Sequence, residues 1–154
     1  MVIDDLANHV DLIPELAGWH QQQWAYLNPG ETLEQRIARM HGYCEPVPIP
    51  STFIALEAEV PLGSAALVAH DMDTHPDLSP WLASVFVAPQ RRRQGVGSIL
   101  VRRVVEAAAA LDVETLYLCT PDREDFYASM SWRVRSREEY RKEHMVVMEL
   151  DLSV

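Results

Sequence analysis

Arg91-Arg92-Arg93-Gln94-Gly95-Val96-Gly97-Ser98 follows the apolar run Trp81–Val87 and opens a strongly helical segment. A strand, a turn holding two glycines and three arginines, and then a helix N-terminus together make a socket for an anion. Glycine lets the backbone turn sharply and approach a ligand with no Cβ in the way. The first amide N–H groups of a helix have no partner inside it, and the aligned peptide dipoles add positive character there, worth about 0.3–1 kcal/mol to an anion. A diphosphate suits such a socket. It is not a nucleotide-hydrolase loop, because no lysine follows either glycine, and Leu100 stands where a dinucleotide fingerprint needs its third glycine.

Outward from this loop the pattern is regular. Val96, Ile99, Leu100, Val104, Ala108 and Leu111 form one apolar helical face, with Arg102 and Glu106 spaced to pair on the other. Residues 115–119 read as a short buried strand, 122–130 as a brief helix, and 132–136 and 145–150 as closing strands. Upstream, 52–60 and 64–70 predict an antiparallel hairpin turning at Pro61-Leu62-Gly63, followed by a polar loop over 71–80. Residues 11–27 predict a helix carrying Leu12, Leu16, Trp19, Trp24 and Leu27. A second runs from Glu31 or Thr32 to Tyr43 with Leu33, Ile37 and Met40 on one stripe. The prolines of 45–50 keep that connector extended. The succession predicts an α+β fold: one domain over 1–154, with a single mixed, mostly antiparallel sheet flanked by helices.

Composition narrows the function classes. The 154 residues are 48% hydrophobic and 23% charged, the range of an ordinary globular domain. No apolar run reaches the roughly 18 residues of a membrane span, and the first residues lack the pattern of a secretory signal. Cys44 and Cys119 make neither a disulfide framework nor a metal knuckle, so a cytoplasmic setting and no metal are expected. Net charge is −10, yet residues 89–103 alone carry +5, leaving −15 elsewhere. Nucleic-acid affinity needs many cations spread over a surface, so that partner is not expected. One confined basic patch suits a small polyanion.

Arg92-Arg93-Gln94-Gly95-Val96-Gly97, with Pro89 upstream, resembles the coenzyme A loop of the GNAT acetyltransferases. Residues 81–89 resemble the family's fourth strand, and Phe126-Tyr127-Ala128-Ser129-Met130-Ser131-Trp132 resembles its Phe-Tyr-x-x-x-Gly-Phe stretch, with Ser131 in place of the glycine. The resemblance implies an N-acetyltransferase that moves the acetyl group of acetyl-CoA to an amine. It also implies that strands 81–87 and 115–119 part to admit the pantetheine arm. Main-chain groups of Val85, Phe86 and Val87 would bond that arm, with the N–H of Val85 or Val87 facing the developing oxyanion. The segment Arg92, Arg93, Gln94, Gly95, Val96, Gly97 and Ser98 would hold the pyrophosphate. Each arginine of the triplet either joins in or stays a solvated charge.

Direct transfer needs an amine stripped of its proton, donors for an oxyanion and a proton for the departing thiolate. Tyr127 sits where the family often places the phenol that protonates sulfur. The base stays open among His70, Asp71, His75, Asp77, Glu31, Glu34 and a water relay. Ser84 and Val85 point oppositely along their strand, and parity alone does not say which meets the ligand. Cys119 has no obvious histidine partner, so no covalent acetyl-enzyme is expected. A small-molecule amine is the expected acceptor. A protein or peptide amine, or a coenzyme-binding sensor without catalysis, is the alternative. Dimerisation through the terminal strands stays open.

Overall fold

The computed structural model describes residues 1–153. In chain order the elements are β1 (Val2–Asp5), α1 (Ile13–Trp24), α2 (Leu33–Gly42), β2 (Ser51–Glu57), β3 (Val60–Val68), β4 (Trp81–Val87), α3 (Val96–Ala110), β5 (Thr115–Thr120), α4 (Glu124–Ala128), β6 (Arg133–Tyr140) and β7 (Glu143–Asp151). The strands make one seven-stranded sheet ordered β1-β2-β3-β4-β5-β7-β6. Every neighbouring pair is antiparallel except β4 and β5.

Strand alternation divides the apolar residues between two faces. On one face Phe53, Ala55, Leu67, Leu82, Leu116 and Leu118 pack against Leu100, Val101 and Val104 of α3. On the other, Ile54 and Leu56 meet Ile13, Leu16 and Ala17 of α1 and Met40 of α2. Trp81, Ala83 and Val147 continue that second face beneath Met72 and Leu78. Leu100 and Val104 are fully enclosed, each contributing about 1.5–3 kcal/mol by leaving water.

Three local expectations change. The β2–β3 turn lies at Ala58-Glu59, with φ of 50° and 67°, not at Pro61-Leu62-Gly63. Pro61 is instead accommodated in β3 where the register slips between Ala55 and Leu56, a bulge that spares the ladder a missing N–H. Along α3, Val101 is buried while Ile99 and Leu111 are 36% and 40% exposed, because only a narrow stripe of this helix meets the sheet. Arg102 and Glu106 form no ion pair among the described residues; Arg103 lies 4.4 Å over the Phe53 ring.

Candidate active site

The parallel strands β4 and β5 share a single paired position, Trp81 with Tyr117, and then diverge. Beyond it, β5 stays fully paired with β7, while β4 stays with β3. The result is a fork at the centre of the sheet, with the main chain of Val85, Phe86 and Val87 along one prong. A β-bulge helps open it. Ala66 pairs with Ala83 and Ser64 with Phe86, so Ser84 and Val85 together oppose Ala65. Ser84 absorbs the extra residue at φ 54°.

The bulge also sets which face of the sheet each side chain takes. Leu82, Val85 and Val87 all pack on the α3 side, whereas Ser84 and Phe86 meet residues of α2 and α1. Simple alternation would have put Leu82 and Val85 on opposite faces.

The turn after β4 leads from the fork to α3. Ala88 N–H donates to Leu62 O (2.8 Å), and Arg91 N–H closes a 3-10 turn on Ala88 O (2.8 Å). Arg93 and Gly95 then take φ of 63° and 84°, and Gly95 caps α3 without a side-chain partner. That left-handed position is one glycine adopts freely. Arg92 N–H turns back to Pro89 O at 3.4 Å, and the next helical bond is Ile99 N–H to Gly95 O (3.2 Å). Among the described residues, the N–H groups from Arg93 to Ser98 reach no backbone carbonyl. Six consecutive donors are therefore open at a helix N-terminus.

The three arginines have different surroundings. Arg91 is paired with Glu57 at 2.6 Å. Arg92 donates through Nε to the Val87 carbonyl (2.9 Å) and lies 5.6 Å over the Phe86 ring. Arg93 has no ion pair among the described residues.

Tyr127 belongs to the α3 side of the fork. Its ring stands 5.0 Å from Phe126 and 6.1 Å from Trp132, and the residue is 7% exposed. Thr120 Oγ1 accepts the N–H groups of Asp122 and Arg123, tying the start of α4 to the end of β5. Burial raises the phenol above its usual value, so it stays protonated near neutrality. Ser131 takes φ 74°, the conformation a glycine would enter without strain.

The opposite side holds a buried polar pair that the sequence reading passed over. His20 of α1 and Arg36 of α2 are 2% and 6% exposed. Arg36 Nη2 donates to His20 Nδ1 (2.8 Å), so the ring proton sits on Nε2 and is donated to Ser64 Oγ (2.9 Å). The same Nη2 reaches Ser84 Oγ at the bulge (3.4 Å). Burial first, then the Arg36 charge, pushes His20 down to about 3, so the ring is neutral. Arg36 Nε is enclosed without a partner, and its nearest carboxylate contact is Glu31 at 3.9 Å. The stripe Ile13, Leu16, Ala17, His20 has the spacing i, i+3, i+4, i+7, which was the available signal for a buried His20.

A family model described as "Acetyltransferase (GNAT) family" matches residues 13–132. The chain belongs to the GNAT acetyltransferase family. With the family comes the enzyme class, an N-acetyltransferase that draws its acetyl group from acetyl-CoA. No curated protein matches the chain as a sequence relative. An aminoglycoside 6'-N-acetyltransferase complexed with coenzyme A shares the fold at TM-score 0.78 and 14% identity, over 100% of this chain and 98% of that one. A ribosomal-protein-alanine N-acetyltransferase from Brucella melitensis gives 0.75 and 16%, over 98% and 99%. The protein yncA from Salmonella typhimurium, with its cofactor acetyl-CoA, gives 0.72 and 15%, over 100% and 95%.

In this GNAT enzyme most of the expected bases are already engaged or remote from the fork's interior. Glu31 is held by Arg39 at 3.1 Å, and His75 Nε2 lies 2.7 Å from Glu138. Glu34, His70 and Asp77 are solvent-exposed, as Asp71 is, and make no side-chain hydrogen bond with β4 or β5 among the described residues. Asp71 alone joins the fork, through Cys119, whose thiol donates to Oδ2 at 3.6 Å. Burial and the Asp71 carboxylate push that thiol well above its usual range, so it is a poor nucleophile. Among the described residues no three His, Cys, Asp or Glu side chains are grouped to hold a metal.

Proposed function

We propose that this enzyme transfers the acetyl group of acetyl-CoA directly to a primary amine of a small molecule. The observation that carries the reading is the fork between β4 and β5, continued by the six open N–H groups from Arg93 to Ser98. An extended pantetheine arm would complete the missing ladder beside Val85, Phe86 and Val87. The pyrophosphate would then fall on the start of α3, with Gln94, Gly95, Val96, Gly97 and Ser98 presenting main-chain donors and Arg92 and Arg93 adding charge. Tyr127 would protonate the leaving sulfur, and the N–H of Val85 or Val87 would meet the oxyanion.

The acceptor reaches the fork from the α1/α2 side. A groove of about 710 Å³ is lined there by Tyr26, Asn28, Pro29, Glu31, Arg141 and Lys142. Arg141 donates to Leu27 O (2.7 Å), bridging the β6–β7 turn to the chain after α1. This volume lies within the range of small-molecule sites, roughly 300–1,000 Å³, and would accommodate a compact amine. An aminoglycoside-like polyamine belongs to that class. The free state of Cys44 and Cys119 fits a reducing, cytoplasmic setting.

The test is to mix the protein with acetyl-CoA and a panel of acceptors and to follow free thiol. Release with small primary amines supports the proposal. Release only with peptide N-termini or lysines would move the enzyme to the protein-acetylating class. Tight acetyl-CoA binding by calorimetry, with no turnover on any acceptor, would make it a sensor.

A further inference from the structure

We propose that Asp71 is the general base that takes the proton from the acceptor ammonium, a deepening of the reading just given. Trp81 and Tyr117 close the fork. Because β4 and β5 are parallel, two residues further along each strand come Ala83 and Cys119, where the prongs separate. Both side chains pack on the α1/α2 side of the sheet, and Asp71 Oδ2 stands 3.6 Å from Cys119 Sγ. The carboxylate therefore lies at the crotch of the fork, reached from the loop after β3. Tyr127 packs on the opposite, α3 side. An acid and a base on the two faces of the sheet match an attack from one side and a thiol leaving on the other.

Asp71 is solvent-exposed, so an ammonium can reach it, and the protein around it raises its carboxyl by desolvation. The groups facing it are Arg36 and Arg39 of α2, Arg141 of the β6–β7 turn and Cys119 of β5, each of which pulls the carboxyl downward. Among the described residues its side chain has no hydrogen-bond partner except that thiol, a weak donor, so oxygen lone pairs remain for an incoming ammonium. The rival groups are spent: Glu31 on Arg39, His75 on Glu138, and His20 on the Arg36 charge.

The proton count closes. Asp71 carboxylate accepts one proton from the ammonium, and the freed lone pair forms the C–N bond while the carbonyl pair moves to oxygen. Collapse breaks the C–S bond. Tyr127 gives its proton to sulfur and recovers one through water from the nitrogen, which still carries one more than the amide keeps. Asp71 then releases its proton to solvent.

Asp71→Asn in the full-length protein, assayed with acetyl-CoA and the best amine of the panel, should lower kcat by about 10²–10⁴. Acetyl-CoA affinity by calorimetry and melting temperature should stay near wild type. Cys119→Ala removes the donor that holds the carboxyl down, so the acidic limb of its kcat–pH profile should move to higher pH. An Asp71→Asn enzyme with wild-type kcat overturns the proposal, and so does an acidic limb that Cys119→Ala leaves in place. Either result would leave thiol release by the wild-type enzyme intact, and so the broader functional reading with it.

Discussion

Replacing His20 by leucine removes the two hydrogen bonds of a buried ring while keeping most of its volume. Arg36 Nη2 loses its 2.8 Å acceptor and Ser64 Oγ its 2.9 Å partner. A buried bond to a charged group is worth about 1.5–3 kcal/mol and a neutral one about 0.5–1.5. Together about 2–4 kcal/mol of destabilisation is expected at pH 7. For a chain of this size that is about 5–15 °C in melting temperature.

The pH dependence is sharper still. His20 has its folded value depressed to about 3 from an ordinary 6.5. Its contribution is therefore complete above about 6.5, because the unfolded chain takes up the proton first as pH falls. Below that, wild type loses about 1.4 kcal/mol per pH unit at this site, down to about 3. Leucine takes up no proton. Urea denaturation of both proteins from pH 7 to about 3.5 should show the gap closing, with the curves meeting between about pH 3.5 and 5. Curves that stay parallel would refute the idea of a neutral histidine locked beside Arg36.

Tyr127→Phe should leave the fold nearly unchanged, since the hydroxyl makes no hydrogen bond among the described residues and the ring keeps its contacts with Phe126 and Trp132. Steady-state kinetics should show kcat down by about 10²–10⁴ with acetyl-CoA affinity intact; an unchanged kcat removes the phenol from the reaction. Gly63→Ala puts a methyl against the Phe86 carbonyl, 3.2 Å from Val87 Cα and 3.3 Å from Leu100 Cδ1. Relief requires β4 to shift where it lines the fork, at a cost of about 1–3 kcal/mol. Thermal unfolding and calorimetry should both register it, as a lower melting temperature and weaker acetyl-CoA binding. If neither changes, β4 is not held as described.

The loop and α3 were readable because their signals are local: two glycines, a cluster of cations and a helical period all fall within one stretch. The hairpin turn misled because Pro61 and Gly63 look like turn residues. The sheet instead uses Pro61 at a bulge and Gly63 where the backbone of β4 approaches too closely for a side chain. The fork itself has no local signature. It arises from where two strands cease to pair, and only the bulge at Ser84 fixes which side chains face which way. Arg36 was invisible for a related reason. An arginine on an otherwise amphipathic helix reads as exposed, and its burial depends on a histidine of the preceding helix. Likewise nothing local decided whether Arg91 meets a ligand or stays a solvated charge; its partner, Glu57, lies on a distant strand.

The most direct check of the site is an amide NMR titration with coenzyme A. The account predicts that the N–H signals from Arg93 to Ser98 move together and saturably, with Gly95 and Gly97 among the largest. Coenzyme A that binds while those amides stay in place would put its pyrophosphate elsewhere and contradict the site.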